Sequence, residues 1–229
     1  MTETTPTPPE TLPIFPLTGS LLLPGNFLPL NIFEPRYRAM VADVLDGSQH
    51  IGMVQPVVPQ QDNRPEPSEL KTAPDNPDVY AIGCAGRIEQ AEKQSDGRYL
   101  ILLKGVSRFR VTRELPREQE YRQVLARYDE FVQDLGEPRT ELSPGPLLAA
   151  LEDFGEKKEL EFDMERLKLL PGIVLLNGLS AALPFSPGEK QALLEAPTPE
   201  ERQELLLELM GWGFEQYDGE SYYSPPIVN

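Results

Sequence analysis

Residues 12–37 read LPIFPLTGSLLLPGNFLPLNIFEPRY and fit two strand-like runs, a Pro24-Gly25 turn and a helix start into one short segment. In the second run the side chains alternate with the two-residue period of a β-strand, which gives the strand an inward and an outward face. The inward face is predicted to hold Leu28, Leu30 and Ile32, and the outward face Phe27, Pro29, Asn31 and Phe33. The composition of this segment favours burial of apolar surface rather than catalysis.

A helix is predicted to begin at Pro35, because proline is best tolerated at the first helical position, where its missing N–H would have no partner. Apolar side chains follow at the i, i+3, i+4, i+7 and i+8 spacing of a helix with one buried face. They are Tyr37, Met40, Val41, Val44 and Leu45. Gly47 is predicted to end this helix.

Two longer strands are predicted at 80–91 and 98–111, joined around Asp96-Gly97, which is a strong hairpin signal because both residue types accept positive φ. In the second strand, Phe109 and Val111 are predicted to point inward, and Arg108 and Arg110 outward. A further strand at 121–128 completes a β-rich lobe. Residues 55–78 contain six prolines and are predicted to form a long surface loop.

After residue 135 the pattern changes to helices. Ser143-Pro144 is predicted to open one helix, Asp163 to cap a second, and residues 173–183 to form another after Pro171-Gly172. The first of these is predicted to bury Leu147, Leu148, Leu151 and Phe154.

Two capping boxes then follow 12 residues apart, SPGE at 186–189 and TPEE at 198–201. Each supplies a hydroxyl N-cap, a proline at the first helical position and a glutamate at the third. They predict two short consecutive helices, of which the last contains Leu205, Leu206 and Leu209 and ends near Gly211.

The opening segment resembles the start of the Lon protease N-terminal domain, also called the Lon substrate-binding domain, whose hallmark is an L-P-[LI]-F-P-L…PG…LPL-x-IFE-x-RY run. The resemblance continues, in the family's order, through residues 11–210. Its motifs are IGMV at 51–54, GCAGRI at 83–88, DGRY at 96–99, KGVSRFRV at 104–111, YR at 121–122 and LPFSPGEKQ at 183–191. Cys84 stands where the family more often has a threonine, which we interpret as a conservative packing change.

The resemblance implies an α+β fold: an N-terminal β-rich, PUA-like pseudo-barrel lobe with one helix, followed by a C-terminal helical lobe. Four segments are expected on this basis. They are a disordered N-terminus at 1–10, the β-rich lobe at 11–135, the helical lobe at 136–211 and an aromatic and acidic tail at 212–229.

Charge and composition exclude several classes. The formal net charge is −16, and residues 129–229 hold 21 Asp/Glu against 7 Lys/Arg, so the C-terminal half carries nearly all of the excess and repels phosphate backbones. The single cysteine excludes an internal disulfide, and no run reaches the 18 or more apolar residues of a membrane span. The N-terminus lacks the features of a signal peptide, so a cytoplasmic location is expected.

No catalytic or metal site is predicted, and no cofactor. No G-x-x-x-x-G-K-[ST] phosphate loop occurs in the sequence. His50 is the only histidine and is interpreted as a surface or loop residue, whereas Cys84 is interpreted as a buried, inert thiol.

Two polar groups keep alternatives open. Glu34 and Arg36 are interpreted mainly as a structural ion pair that joins helix to sheet, with ligand binding as the alternative. A stripe of arginines, Arg108, Arg110, Arg113, Arg117, Arg122 and Arg127, fits either a solvated sheet face with local ion pairs or an RNA-binding surface.

The resemblance implies a non-catalytic module that binds unfolded or extended polypeptide, or another protein, as an adaptor or regulator of proteolysis. The ATPase module and Ser–Lys dyad that follow this domain in Lon proteases have no counterpart in these 229 residues. Candidate partner-binding residues are Phe27, Phe33, Glu34, Arg36, Arg108 and Arg110. The alternative is an RNA- or small-ligand-binding PUA-like module that uses the arginine stripe, although the net charge disfavours nucleic acid.

Overall fold

A computed structural model of the chain describes residues 8–57, 76–136 and 141–212, with only the backbone of Trp212. The chain divides into two compact units, Met1–Glu137 and Pro138–Asn229. The predicted boundary at 135/136 lies two residues before this division. Most of the predicted 55–78 loop and nearly all of the 212–229 tail lie outside the described residues.

The first unit contains six described strands and one α-helix. In chain order they are β1 (Thr11–Pro16), β2 (Phe27–Ile32), α1 (Pro35–Leu45), β3 (His50–Val54), β4 (Ile82–Lys93), β5 (Tyr99–Glu114) and β6 (Arg122–Arg127). A 3₁₀ segment, Asp129–Leu135, follows β6.

The sheet closes on itself into a pseudo-barrel. The strand order is β2-β5-β4-β3-β1-β6, and β5 also pairs with β6, so β5, β4, β3, β1 and β6 form a ring with β2 attached outside it. Among the described strands only β1 and β3 are parallel, with Ile14 opposite Gly52. Closure is possible because β5, at 16 residues, pairs with β2 near its start and with β6 near its end. The expected α+β class with a pseudo-barrel lobe is therefore confirmed.

The inside of the ring is filled by small and medium apolar side chains around one aromatic ring. Phe109 is fully buried, as predicted, and Val111 packs against the same cluster. The cluster consists of Leu12, Ile14, Val54, Ala85, Phe109, Val124 and Ala126. A sheet curved this tightly favours small residues on its concave face.

The opening segment forms both predicted strands, but they do not pair with each other. β1 lies between β3 and β6, whereas β2 pairs with β5. The connection between them packs Leu21, Leu22 and Leu23 into the interior. It approaches β5 so closely that a Cβ on Gly105 would overlap the Leu23 carbonyl oxygen.

Helix α1 begins at Pro35 as predicted and buries Tyr37, Met40, Val41 and Val44, while Leu45 is half-buried. It ends at Leu45, and the left-handed residue after it is Gln49, at φ 60°, rather than Gly47. The Tyr37 ring packs on Phe15 with centroids 4.3 Å apart, which joins α1 to β1.

The predicted β4–β5 hairpin is confirmed. Gly97 has φ 84°, its N–H donates to the Gln94 carbonyl, and the Gln94 N–H donates to the Arg98 carbonyl. The Asp96 carboxylate accepts the Arg98 N–H at 3.1 Å and closes the turn.

His50 differs from its prediction as a surface residue. It is the first residue of β3, is 4% exposed and lies opposite Arg87 of β4. Its Nδ1 lies 2.6 Å from the Ser48 carbonyl oxygen, so Nδ1 carries the proton and donates. The sequence predicted His50 in the connection between a helix and a strand, but pairing with β4 makes it part of β3 and buries its side chain. Cys84 is fully buried, as predicted.

The edges of two predicted loops are also described. Pro9 and Glu10 are held against β6, because the Tyr128 hydroxyl donates to the Pro9 carbonyl and the Ala126 N–H to the Glu10 carbonyl. Pro9 and Glu10, which were included in the predicted disordered segment, therefore have defined partners, whereas residues 1–7 lie outside the described residues. The two ends of the 55–78 loop meet where the Val57 N–H donates to the Asp78 carbonyl.

The second unit is helical where it is described. Its helices are α2 (Gly145–Lys158), α3 (Met164–Leu167), α4 (Gly172–Ala182), α5 (Pro187–Glu195) and α6 (Pro199–Trp212). The side chain of Asp163 caps α3 by accepting the Arg166 N–H, and α4 begins after Pro171, both as predicted. Helix α2 buries Leu147, Leu151 and Phe154, whereas Leu148 is half-buried.

Both capping boxes start helices at the predicted residues. At Ser186 the box is reciprocal, since the side chain accepts the Glu189 N–H and the Glu189 carboxylate accepts the Ser186 N–H. At Thr198 the hydroxyl accepts the Glu201 N–H, while the Glu201 carboxylate accepts from the hydroxyl itself.

Candidate functional site

Exposed apolar side chains gather on one face of the β2–β5 pair. Phe27 is 57% exposed, Phe33 is 55% exposed and Leu100 is 46% exposed. In the antiparallel register Pro29 lies opposite Leu102 and Asn31 opposite Leu100, and directly opposite residues share a face. Phe33 directly follows β2 and continues its alternation, so we group it with Phe27, Pro29, Leu100 and Leu102 as the outer β2–β5 face.

The other face of the same two strands packs into the protein interior. Ile32 of β2 is 1% exposed, and its opposite residue, Tyr99, is buried too. Ile101 and Leu103 of β5 are buried as well. Leu28 and Leu30 point with them, as predicted, but are only half-buried. The burial of one face fixes the register and thereby holds the opposite face toward solvent.

Polar residues border the outer β2–β5 face. The next strand, β4, places Gln90 opposite Leu102 and Glu92 opposite Leu100, and both are exposed. At the other end, Lys104 lies opposite Phe27, and its Nζ is 5.9 Å from the Phe27 ring centroid. An exposed apolar surface with a polar border is typical of an interaction site.

The free edge of β2 is poorly suited to pairing with a further strand. The Gly105 N–H donates to the Asn26 carbonyl, so Asn26 and every second residue after it direct their peptide groups toward β5. Pro29 has the opposite parity and directs its peptide toward the free edge, where it has no N–H to donate. Contacts to this site are therefore expected to involve side chains on the face rather than added backbone pairing.

The Glu34–Arg36 ion pair forms at the start of α1, directly after Phe33. Arg36 Nη2 lies 2.9 Å from Glu34 Oε2, and the guanidinium lies 4.7 Å from the Tyr37 ring centroid. The pair joins two residues that are two positions apart at the helix start. It does not connect the helix to a strand, which was the predicted role. Glu34 Oε1 is buried without a hydrogen-bond partner in the described part of the chain.

Arg108 lies on the face of β5 opposite Phe109, as predicted, but it is buried there instead of facing solvent. It is 1% exposed, and its Nε and Nη2 donate to Asp134 at 2.8 and 3.0 Å. The Asp134 carboxylate also accepts the Arg108 backbone N–H at 2.9 Å, and the guanidinium lies 4.8 Å from the Phe131 ring centroid. The reason is that the 3₁₀ segment Asp129–Leu135 contacts this part of β5. Arg108 therefore cannot contact a partner, whereas Arg110 remains partly exposed in a pair with Glu130.

Acidic neighbours occupy much of the arginine stripe. Arg122 pairs with Glu114 at 2.7 Å, and Arg127 with Asp129 at 3.3 Å. Hydrogen bonds from Arg122 lower the pKa of Glu114, and those from Arg110 lower the pKa of Glu130. These carboxylates therefore stay ionised and neutralise the cations that an RNA backbone would need.

No group of three or more metal-ligating side chains occurs in the described ranges 8–57, 76–136 and 141–212. Within those ranges, no helix has the length and apolar character to span a membrane.

Of the six predicted site residues, the structure leaves Phe27 and Phe33 exposed at opposite ends of β2 and places Glu34 and Arg36 close to Phe33 in the chain. Sequence reasoning missed the contribution of β5, namely Leu100 and Leu102. The run YLILL at 99–103 is apolar at every position, so alternation cannot tell its exposed face from its buried one. Only the pairing with β2, whose alternation is clear, assigns the faces.

The family model of the ATP-dependent protease La (LON) substrate-binding domain matches residues 11–211. The chain is 29% identical over 207 residues to Lon protease 2 from Myxococcus xanthus, covering 88% of this chain and 24% of that protein. It is 25% identical over 204 residues to a Lon protease from Flavobacterium johnsoniae, covering 85% and 23%. The chain thus spans about a quarter of the length of these relatives.

Two solved structures share the fold. The crystal structure of a Lon N-terminal domain protein from Xanthomonas campestris has a TM-score of 0.57 at 27% identity and covers 86% of this chain and 96% of that one. The N-terminal domain of Mycobacterium avium complex Lon protease has a TM-score of 0.57 at 15% identity, covering 88% and 98%. At 15% identity, the similarity to the Mycobacterium avium complex structure supports the fold alone.

Proposed function

The chain belongs to the family of Lon substrate-binding domains, and on that premise we propose that it binds unfolded or extended polypeptide on the outer β2–β5 face. The observation that carries the proposal is the joint exposure of Phe27, Phe33 and Leu100 on a sheet whose other face is buried. Burial of such side chains by a partner releases about 25 cal/mol for each Å² removed from water. No catalytic step is part of the proposed function.

The dimensions of the face suit a short extended segment. Phe27 and Phe33 are six residues apart, which corresponds to about 20 Å along a strand. An extended partner covers that length with about six residues, of which alternate side chains contact the face. Because Pro29 interrupts the donors of the free edge, we assign recognition to apolar side chains and not to a particular backbone sequence.

This mode of binding favours a role as an adaptor or regulator of proteolysis. We place that role in the cytoplasm. The proteins similar to this chain over a quarter of their length are named Lon proteases, and a polypeptide-binding module fits beside such enzymes. Adding the purified chain to a Lon protease and following degradation of an unfolded substrate tests this role. A rate that does not change at any ratio of chain to protease contradicts it.

The binding site itself is tested with a permanently unfolded, reduced and alkylated protein carrying a fluorescent label. The double variant Phe27→Ser, Phe33→Ser should weaken binding by about tenfold or more, since two exposed aromatic contacts are lost. Val132→Ser is the matched control, because Val132 is 63% exposed in the same unit but lies in the 3₁₀ segment. Equal weakening in the control, or none in the double variant, contradicts the assignment of the face.

The RNA-binding alternative is separated by salt and by competition. Binding to apolar side chains should persist between low and moderate salt, whereas phosphate contacts weaken steeply. Tighter binding to single-stranded RNA than to unfolded protein at physiological salt, lost in Arg110→Ala, would favour RNA. Arg110 serves here in place of Arg108, whose substitution disrupts a buried ion pair.

A further inference from the structure

The helical unit contains an open groove of about 430 Å³ between the end of α2 and the segment that returns along it. The wall from α2 consists of Leu151 and Gly155, one helical turn apart. The returning segment contributes Leu160, Phe162 and Met164. Leu160 is 41% exposed, so part of this apolar lining faces solvent.

The shape of the groove depends on Gly155. A Cβ at this position would lie 2.8 Å from the Leu160 carbonyl oxygen and 3.1 Å from Phe162 Cδ2. The absent side chain lets the returning segment fold directly onto α2, and the Leu160 N–H donates to the Gly155 carbonyl at 2.9 Å. Glu159, at φ 55°, makes the left-handed reversal between the two walls.

The polar lining of the groove has a single sign of charge. It consists of Glu152, Glu156, Glu159 and Glu161, with no lysine or arginine among the lining residues. Glu152 and Glu156 are four residues apart on α2, so their like charges are neighbours on its surface. Lys168, which pairs with Glu165 at 2.9 Å, also interacts with Glu152 from outside the groove lining. A cationic partner would relieve this repulsion, whereas an anionic or neutral partner would not.

We propose that this groove binds a polypeptide segment in which apolar side chains alternate with lysines or arginines. The apolar side chains contact Leu160, Phe162 and Met164, and the cations pair with the surrounding glutamates. The site is separate from the outer β2–β5 face and differs from it in chemistry, because it selects for positive charge.

The test uses the full chain and a fluorescein-labelled 12-residue peptide of alternating leucine and lysine, measured by fluorescence anisotropy. The variant Glu152→Gln, Glu156→Gln, Glu159→Gln, Glu161→Gln should weaken binding by about tenfold or more, since four surface charge pairs are lost. Glu204→Gln, Glu208→Gln is the matched control, because both residues are exposed on α6 of the same unit, and it should bind as the unaltered chain does. A peptide with glutamate in place of lysine should not bind the groove, so any affinity that it keeps for the full chain should disappear in the Phe27→Ser, Phe33→Ser variant.

Three results would overturn the proposal. The first is equal affinity in the quadruple variant and the control, provided that circular dichroism shows both folded. The second is equal affinity for a lysine–serine peptide, which would mean that charge alone is recognised. The third is a set of peptide-induced NMR shift changes that omits the amides of Gly155 and Leu160, a readout that needs no variant. The Phe27→Ser, Phe33→Ser variant should still bind this peptide, with the same NMR shift changes at Gly155 and Leu160, which separates the groove from the proposed function.

Discussion

At the scale of single residues, the environment of an arginine decides whether it serves the fold or the surface. Arg108 and Arg110 are two positions apart on β5 and have the same chemistry, yet one is 1% exposed in its ion pair and the other 39%. Asp134, the partner of Arg108, is itself only 8% exposed. A buried charge that loses its partner cannot be solvated, whereas an exposed one can.

Arg108→Ala should therefore lower the free energy of unfolding by about 3–5 kcal/mol, because it leaves the Asp134 carboxylate buried and unpaired. Arg110→Ala should lower it by less than about 1 kcal/mol, since both partners of that pair are largely solvated. Urea titrations of the two variants check this difference. A double variant Arg108→Leu, Asp134→Leu that recovers much of the loss would identify the unpaired charge as the cause, and equal losses for Arg108→Ala and Arg110→Ala would contradict it.

His50 makes the stability of the protein depend on pH. Burial lowers the pKa of its imidazole, and the nearby Arg87 guanidinium lowers it further, while the hydrogen bond to Ser48 opposes both. The unfolded chain therefore binds the proton more readily than the folded chain. The stabilisation is complete above the unfolded pKa of about 6.5 and is lost as the pH falls toward the lower folded value.

In chemical denaturation, the free energy of unfolding should fall as the pH is lowered from 7 to 5. The loss should reach up to about 1.4 kcal/mol for each unit of difference between the two pKa values. Because His50 is the only histidine, few other side chains titrate in this window. His50→Asn should flatten the dependence. A folded-state NMR titration of the imidazole with a pKa at or above the unfolded value would contradict the assignment.

At the scale of the element, the helix starts of the second unit rest on short motifs. Ser186→Ala and Thr198→Ala should each lower the free energy of unfolding by about 0.5–2 kcal/mol, because each removes a side-chain acceptor from helix-end N–H groups. The Ser186 change should have the larger effect, since its box is reciprocal. Thermal and urea unfolding check both, and no effect in either variant would show that those N–H groups find other acceptors.

The contact between β5 and the connection before β2 depends on the absence of a side chain. Gly105→Ala should be destabilising by about 1–3 kcal/mol, because the added methyl would overlap the Leu23 carbonyl. Gly178→Ala in α4 is the control, since a Cβ there meets nothing within 4 Å and alanine favours the helix by about 0.5–1 kcal/mol. A neutral Gly105→Ala in urea titrations would mean that the connection moves away without cost.

At the scale of the whole molecule, the two units divide the charge differently from the sequence pattern. A division of the sequence at 128/129 gives net charges of −2 and −14. The division after Glu137 moves Asp129, Glu130, Asp134 and Glu137 into the first unit, so the two units carry −6 and −10. Three of these acids pair with arginines of β5 and β6. Acidic residues of the first unit thus neutralise part of the arginine stripe in the same unit.

The purified chain should hydrolyse no ATP and should not cleave casein with or without ATP, because its 229 residues contain no phosphate loop. A coupled ATPase assay and a labelled-casein assay check this, with a complete Lon protease as the positive control. Turnover that co-elutes with the chain through successive columns would contradict it.

The sequence by itself determined most of the strands and helices and their order, because local physics governs them, although the 3₁₀ segment Asp129–Leu135 was not predicted. Alternation in FLPLNI, proline at a first helical turn, Asp96-Gly97 and the two capping boxes each depend on residues within a few positions of one another. Phe27 and Phe33 were identified as outward-facing for the same reason. The tertiary structure alone decided the burial of Arg108 and His50, the contribution of Leu100 and Leu102, and the closure of the ring through β5 and β6. These features depend on which distant segment covers a given face, and the energy of a buried charge or an exposed apolar side chain is set by that covering segment rather than by its neighbours in sequence.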